Sequence, residues 1–390
     1  MGFAGPAIRN GEVYLLDRTE DKTDILRCLS LDKGTELWNY SYEALGKVSH
    51  NGSRTPPTVD DKYVYSVGLT GEFLCTDRKT HKPVWRKNLL NDFKSELPRW
   101  GVSQAPVLHG DLVIVAAQAP DAFVVAYNRV TGDLKWKSPG LGLVGYVSPT
   151  VVTLAGLEQV VAIGASNKDA TQKGSTAGIS LTDGSILWKY EGWQCWIPIP
   201  YPTSLPGDKL FVTGGYNAGS AILQVRKGAT GLEAAEVLKL DPKTCGSQIH
   251  QPILYKDHLY VNSNSNERED GMTCLALDGT VKWRTKPVPE SEVKPAAPGA
   301  TPDAKSDSPG AEALPLFERG DFILADDMII AFDGKTGMLH LVDPSPEKYK
   351  ELARAKVFDG REMWAPMALT DGKLLVRNQD TLKCLDLKRP

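Results

Sequence analysis

The chain has 390 residues, with 45 Lys+Arg against 48 Asp+Glu and a formal charge of −3. That near-neutrality argues against nucleic acid as the main partner, because phosphate binding needs an excess of clustered cations. No apolar run approaches the roughly 20 residues that cross a bilayer, which excludes a helical membrane span. Gly 36 and Pro 26 together reach about 16% of the chain, above the ~12% of an average protein, so many turns and an all-β chain are expected. The N-terminus, MGFAGPAIRN, has no basic start followed by an apolar core, so no signal peptide stands in this sequence.

A repeat of about fifty residues organises the chain. Five of the nine tryptophans, Trp38, Trp85, Trp136, Trp188 and Trp283, close a recurring phrase: RCLSLDKGTELW, LCTDRKTHKPVW, VAYNRVTGDLKW, AGISLTDGSILW and the shorter CLALDGTVKW. Ten residues before the first four tryptophans sits a small side chain (Cys28, Cys75, Ala126, Gly178). Two β-rich runs joined by a Gly-containing turn read as a hairpin. A second hairpin, opened by a proline, precedes the phrase in SRTPPTVDDKYVYSVG, SQAPVLHGDLVIVAA and HQPILYKDHLYVNS. Each unit therefore holds four short strands, A to D, with the tryptophan on D, the pattern of propeller blades.

Eight units follow in order. The first runs from Gly5 to Ser41, the next four end near Trp85, Trp136, Trp188 and Leu238, and the sixth ends near Trp283. The seventh covers Asp321–Phe358 and the last begins at Trp364. Units five and seven lack the tryptophan; their fourth strands are expected at 234–240 and 352–358. No stretch sustains helical spacing over three turns, and EKYKELARAK is read as a turn leading into a strand. The segment 286–315, rich in Ala, Pro, Ser and Asp, is expected to be a disordered insertion between blades six and seven of a single propeller domain.

These phrases resemble the repeats of the quinoprotein-like (PQQ-binding-like) β-propeller family, and Thr131-Gly132…Trp136 is the closest single match. GSRTPPTVDDKYVYSVG, PRWGVSQAPVLHGDLVIV, GWQCWIPIP and GGYNAGSA look like a bacterial branch of exported proteins within it. The resemblance implies an all-β, eight-bladed propeller of four-stranded antiparallel blades, in the periplasm or secreted after loss of a leader. The family includes PQQ-dependent alcohol dehydrogenases and an outer-membrane-assembly scaffold lipoprotein, so fold alone does not assign chemistry. In the eighth unit Cys384 takes the small-residue position, which puts the matching tryptophan beyond Pro390. The last blade is therefore expected to lack its outer strand in this sequence, with a closing strand and an export signal lying upstream of Met1.

In such a ring the D–A and B–C connections share one face, and there the long loops lie. The four tryptophans outside the repeat, Trp100, Trp193, Trp196 and Trp364, all fall in D–A segments. Around them the candidate ligand-binding residues are His50, Asn51, Arg54, Arg99, Trp100, Gln104, Tyr146, Trp196, Gln248, His250, Arg319 and Trp364, with Tyr216 and Asn217 from a B–C loop. Asn264, Asn266, Glu267 and Arg268 come from another B–C loop. Aromatic planes beside cations and amides suit a small anionic or polyhydroxylated molecule, a glycan, or a protein segment at the channel mouth.

Catalytic and metal patterns are sparse. The six histidines form no HxH or HExxH spacing, and there is no Cys-x-x-Cys, GxSxG or P-loop. A PQQ-dependent alcohol or sugar dehydrogenase is the alternative reading; the resemblance implies that such an enzyme stacks the quinone on a Trp, beneath a vicinal disulfide, with Ca²⁺ and an aspartate base. No Cys-Cys pair exists, and only Glu96, Glu318 and Glu362 offer carboxylates near the axis. A third reading uses His50 or His250 as a base. Cys195 and Cys245 each precede a strand-A proline by seven residues in consecutive blades, so a disulfide between them is expected in an oxidising compartment. The leading expectation is a monomeric, non-catalytic, cofactor-free propeller binding a ligand or partner at its D–A/B–C face.

Overall fold

The structure, a computed structural model, describes residues 1–50, 52–264, 269–286, 314–360 and 362–388. Eight antiparallel sheets follow one another along the chain, seven of four strands and the last of three. Within each sheet the strands pair in sequence order, as in blade 1: Ala7–Arg9, Glu12–Thr19, Thr23–Ser30 and Glu36–Glu43. Inner strands of neighbouring blades lie side by side, and Ala7–Arg9 touches both Thr58–Val59 of blade 2 and Ala368–Thr370 of blade 8, which closes the ring. The fold is the expected eight-bladed propeller. The expected insertion at 286–315 falls almost wholly on residues 287–313, outside those described.

One pairing rule recurs between strands C and D. Cys28 lies opposite Trp38, Cys75 opposite Trp85, Ala126 opposite Trp136, Gly178 opposite Trp188 and Cys274 opposite Trp283. In the two blades without tryptophan the volumes are redistributed: Ile222 faces Leu238, and Leu341 faces Ala353. In all seven blades the register shifts by a bulge immediately after this pair. A small side chain on C leaves room for a large one on D, and the bulge strengthens the local twist.

The indole then reaches the following blade. Trp85 Nε1 donates to Arg129 O at 3.2 Å, Trp136 Nε1 to Leu181 O at 2.9 Å and Trp283 Nε1 to Ser345 O at 3.0 Å. Trp38 stacks on His81 with ring centroids 4.7 Å apart. The turn glycines Gly132 and Gly184 lie so close to Trp85 and Trp136 that a Cβ would sit 2.7 and 2.8 Å from the rings. Apolar clusters accordingly fill the spaces between blades: Phe73, Trp85 and Tyr127 join blades 2 and 3, and Ile114, Trp136 and Val160 join blades 3 and 4.

One helical turn joins the strands, and one sequence expectation needs correction. Leu89–Phe93 forms a helix, capped by the Asn88 side chain accepting from Asn91 N at 2.9 Å and ended by Lys94 at φ 55°. It is one turn long, too short for any periodicity to reveal. The disulfide is not formed: Cys195 and Cys245 are free, buried thiols. Cys195 packs with Val147, Trp193 and Val212, whereas Cys245 packs with Leu205, Leu240 and Leu259, so equivalent positions in consecutive blades serve different inter-blade cores. EKYKELARAK, by contrast, does lead into a strand, Lys350–Lys356.

Blades 8 and 1 meet through polar contacts. Arg377, whose side chain is only 4% exposed, places Nη2 3.0 Å from Asp17 Oδ1, and Arg27 Nε lies 2.9 Å from Asp17 Oδ2. Lys373 pairs with Asp32, and Gly2 N donates to Gln379 O at 3.0 Å. Burial pushes the Asp17 carboxyl up, but Arg377 and Arg27 outweigh it and hold the group below the usual range.

Two outcomes follow for stability. Trp136→Ala, which empties a site only 6% exposed, should cost roughly 3–5 kcal/mol in equilibrium urea unfolding. Because the folded Asp17 titrates below its unfolded value, its contribution is complete above about pH 4 and is lost as pH falls through the folded pKa. Asp17→Asn should therefore remove about 3 kcal/mol at neutral pH and flatten the acid limb of the stability profile.

Candidate functional site

The D–A segments run inward from the outer strand of one blade to the inner strand of the next, so their residues gather where the inner strands end. On that face an interrupted belt of rings and cations surrounds the mouth. Trp100 lies 5.4 Å from Tyr146, whose hydroxyl accepts from Trp100 N at 3.4 Å, and the Arg99 guanidinium sits 5.3 Å from the Trp100 ring. Trp196 lies 5.3 Å from Tyr216, edge to face, with Lys168 Nζ 5.8 Å from its ring. Tyr216 accepts from Gln248 Nε2 at 2.9 Å, and Gln248 Oε1 accepts from Arg319 Nε at 3.3 Å. Arg319 lies 5.6 Å from Trp364, which stacks on Phe3 at 5.3 Å and lies 5.6 Å from His50. The Arg54 guanidinium is 5.3 Å from the Phe3 ring.

A cavity of about 700 Å³ opens between two of these arcs. Arg99, Trp100, Lys168, Trp196, Tyr216 and Asn217 line it. Among the described residues neither Arg99 nor Lys168 has a carboxylate within ion-pair distance. An indole face carries negative quadrupole density, and a cation held over it stays available to an anion on its other side.

Charge elsewhere on the mouth is already engaged. Arg54 donates to the carbonyls of Gly52 at 2.8 Å and Ser49 at 3.0 Å, and also to His50 O. Burial pulls its pKa down to about 10, against the opposing influence of Tyr146, so it remains a cation at neutral pH. Burial pushes the Tyr146 phenol up, although Arg54 and Arg99 favour its ionised form. Glu318 is shared between Arg319 at 2.8 Å and Lys335 at 2.9 Å, and Glu362 lies 3.9 Å from His50. Among the described residues no three of His, Cys, Asp and Glu gather as metal ligands.

Two residues expected at the mouth turn inward. Gln104 is 1% exposed, donates to Gly145 O at 2.9 Å and accepts from Ser103 N at 3.2 Å. His250 is 6% exposed, with Nδ1 3.2 Å from Asp321 and Nε2 3.0 Å from Arg319 O. Asp321 also accepts from Met367 N at 2.8 Å, so His250 braces blades 6, 7 and 8 and has no nitrogen free to act as a base. Asn264 likewise serves the fold, donating to Leu316 O and Phe317 O. Asn51, Asn266, Glu267 and Arg268 lie outside the described residues. Phe3 and Lys168 join the site without a sequence signal: Phe3 meets its partner Trp364 only through ring closure, and Lys168 is one of several polar residues in its loop.

The family described as "Outer membrane protein assembly factor BamB" matches residues 21–194. No curated protein sequence matches. Among solved structures, BamB from Moraxella catarrhalis superposes with a TM-score of 0.60 at 14% identity, over 97% of this chain and 92% of that one. A europium-containing methanol dehydrogenase gives 0.60 at 13% identity, over 95% and 81% of the two chains. Quinohemoprotein alcohol dehydrogenase from Comamonas testosteroni gives 0.59 at 12%, over 96% and 70%. At such identities these neighbours speak for the fold alone, and they include an assembly factor as well as oxidoreductases. No described helix is long and apolar enough to cross a membrane. Eight sheets in a ring make the chain an eight-bladed β-propeller, and the match over residues 21–194 together with the indole-to-small-residue repeat supports its likeness to the quinoprotein-like propellers.

Proposed function

We propose that the protein is a non-catalytic binding propeller whose loop-bearing face holds an anionic extended ligand, most directly an acidic segment of a partner protein. The observation that carries this reading is the pair of cations, Arg99 and Lys168, each lying against an indole of one cavity and, among the described residues, in no ion pair, although Asp169 also lines that cavity. Arginine on one wall and ammonium on another favour carboxylates, and Trp100, Trp196 and Tyr216 supply apolar contact for what lies between them. The assembly-factor description of the matching family supports a protein segment as the ligand and a periplasmic or secreted location.

The dehydrogenase neighbours keep a quinone-dependent alcohol or sugar oxidation as the second reading. The described residues do not fit a quinone held with calcium. A hard cation needs several oxygen ligands, whereas Glu318 is bound by two cations and Glu362 lies beside His50. Of the two rings that could stack a quinone, Trp364 is already engaged by Phe3 and Arg319, and Trp196 by Tyr216 and Lys168.

Titration with an acidic dodecapeptide, followed by tryptophan fluorescence, should give saturable binding that weakens several-fold between 50 and 300 mM salt. Arg99→Ala and Trp196→Ala should each weaken it about tenfold or more, with thermal midpoints close to the parent. Dye-linked alcohol oxidation appearing with added PQQ and Ca²⁺ would replace this reading with the second.

A further inference from the structure

Three tryptophans of the mouth carry a cation over the ring: Arg99 on Trp100, Lys168 on Trp196 and Arg319 on Trp364, at 5.3, 5.8 and 5.6 Å. Among the described residues the five indoles of the repeat have no such partner. The three indoles stand on the D–A segments ahead of blades 3, 5 and 8, so the pairing is a property of this face. The pairs differ in one respect. Arg99 and Lys168 have no ion pair among the described residues, and Asp169, which lines their cavity, accepts instead from Thr171 N at 3.2 Å and from the Thr171 hydroxyl at 2.8 Å. The third pair is filled. Glu318 places Oε1 2.8 Å from Arg319 Nη1 and Oε2 2.9 Å from Lys335 Nζ, so one carboxylate joins the indole-bound guanidinium to an ammonium.

That contact is built on an unusual backbone. Successive side chains of an extended segment point to opposite sides, yet Glu318 and Arg319 meet. Phe317 and Arg319 have left-handed φ angles of 52° and 49°, a region that residues with a Cβ enter at a cost. The surroundings hold the segment there. Phe317 is fully buried, and its carbonyl accepts from Asn262 Nδ2 at 2.9 Å and from Asn264 Nδ2 at 3.0 Å. A Cβ on Gly334 would lie 2.7 Å from Glu318 O, so the neighbouring loop is shaped to this backbone as well. Arg319 Nε donates to Gln248 Oε1 at 3.3 Å, and Gln248 Nε2 donates to the Tyr216 hydroxyl on the cavity wall at 2.9 Å. The filled pair and the open cavity therefore share one hydrogen-bonded wall.

We infer that, given the acidic ligand proposed for the mouth, the three cation–indole pairs are carboxylate subsites for that one ligand, and Glu318 is a placeholder in the third. The filled pair displays the chemistry of the open ones: a guanidinium lying on an indole turns its N–H edge to a carboxylate, and a second cation takes the other oxygen. A ligand carboxylate reaches the third subsite only by displacing Glu318, which sits next to Arg319 in the chain and so competes at a high effective concentration. Glu318 thus lowers the affinity of the mouth. It also reserves the third subsite for a ligand long enough to be anchored already at Arg99 and Lys168.

The test uses the 390-residue chain, the acidic dodecapeptide and tryptophan fluorescence. Glu318→Gln, which keeps the side-chain shape and removes the charge, should tighten binding about threefold or more at 50 mM salt, with a smaller gain at 300 mM. Adding Arg319→Ala to that variant should return the affinity to the parent value. Glu191→Gln removes a carboxylate paired with Lys189 at 2.7 Å in another D–A segment, and should change binding less than about twofold. Glu318→Asp, too short to reach both cations, should show part of the gain and covers the case in which Glu318→Gln lowers the thermal midpoint. No gain from either Glu318 variant would overturn the inference. So would equal gains from Glu318→Gln and Glu191→Gln, or a gain that survives Arg319→Ala. If Arg99→Ala weakens binding while the Glu318 variants change nothing, only the placeholder falls; if Arg99→Ala changes nothing, or no form binds the peptide, the reading of the mouth falls with it.

Discussion

The fold rests on volume complementarity between two adjacent strands, repeated seven times. In five blades strand C offers Cys, Ala or Gly and strand D answers with an indole, and the bulge that follows increases the twist of the sheet. Four of the five indoles project beyond their own sheet to the C–D turn of the next blade, three of them donating to a turn carbonyl, whereas Trp188 donates to Gln159 of its own blade. Each wedge therefore fixes two things together, the packing within a blade and its contact with its neighbour. The core is distributed among the inter-blade clusters, so stability is a sum of nearest-neighbour terms around a ring.

That locality is why the architecture was legible in the sequence. Trp38, Trp85, Trp136, Trp188 and Trp283 announce their blades because the residue they pack against lies about ten positions earlier, within one hairpin. Blades 5 and 7 hide from a tryptophan search, since Ile222/Leu238 and Leu341/Ala353 divide a similar volume differently. Their strand patterns still locate them. The helix at Leu89–Phe93 was not legible, because a single capped turn depends on Asn88 and Lys94 and on no periodic face.

The mouth was legible as a place and only partly as a set of contacts. Topology alone sends every D–A segment to one face, which is enough to gather Arg54, Trp100, Tyr146, Trp196, Gln248, Arg319 and Trp364. Which way a side chain turns within such a segment depends on the backbone groups that need partners. Gln104 and His250 sit in the same segments as Trp100 and Gln248, yet each satisfies a carbonyl in the interior. The cysteine pairing failed for a related reason. Equivalent positions in successive blades are related by the rotation of the ring, and each then belongs to its own wedge.

The seam between blades 8 and 1 shows how closely closure and site are joined. The other blade contacts are wedged along their outer halves by indoles or aliphatic equivalents, whereas this one is held near the axis by Arg377, Asp17 and the backbone of Gly2. The residue that follows Gly2 is Phe3, stacked on Trp364 and lying against Arg54. Arg377 also donates to Ala4 O at 3.3 Å, so one buried cation grips the segment that presents the Phe3 ring to the mouth. The seam is therefore continuous with a wall of the mouth. In this propeller the cation that helps to close the ring, Arg377, also binds the segment that carries one ring of the aromatic belt.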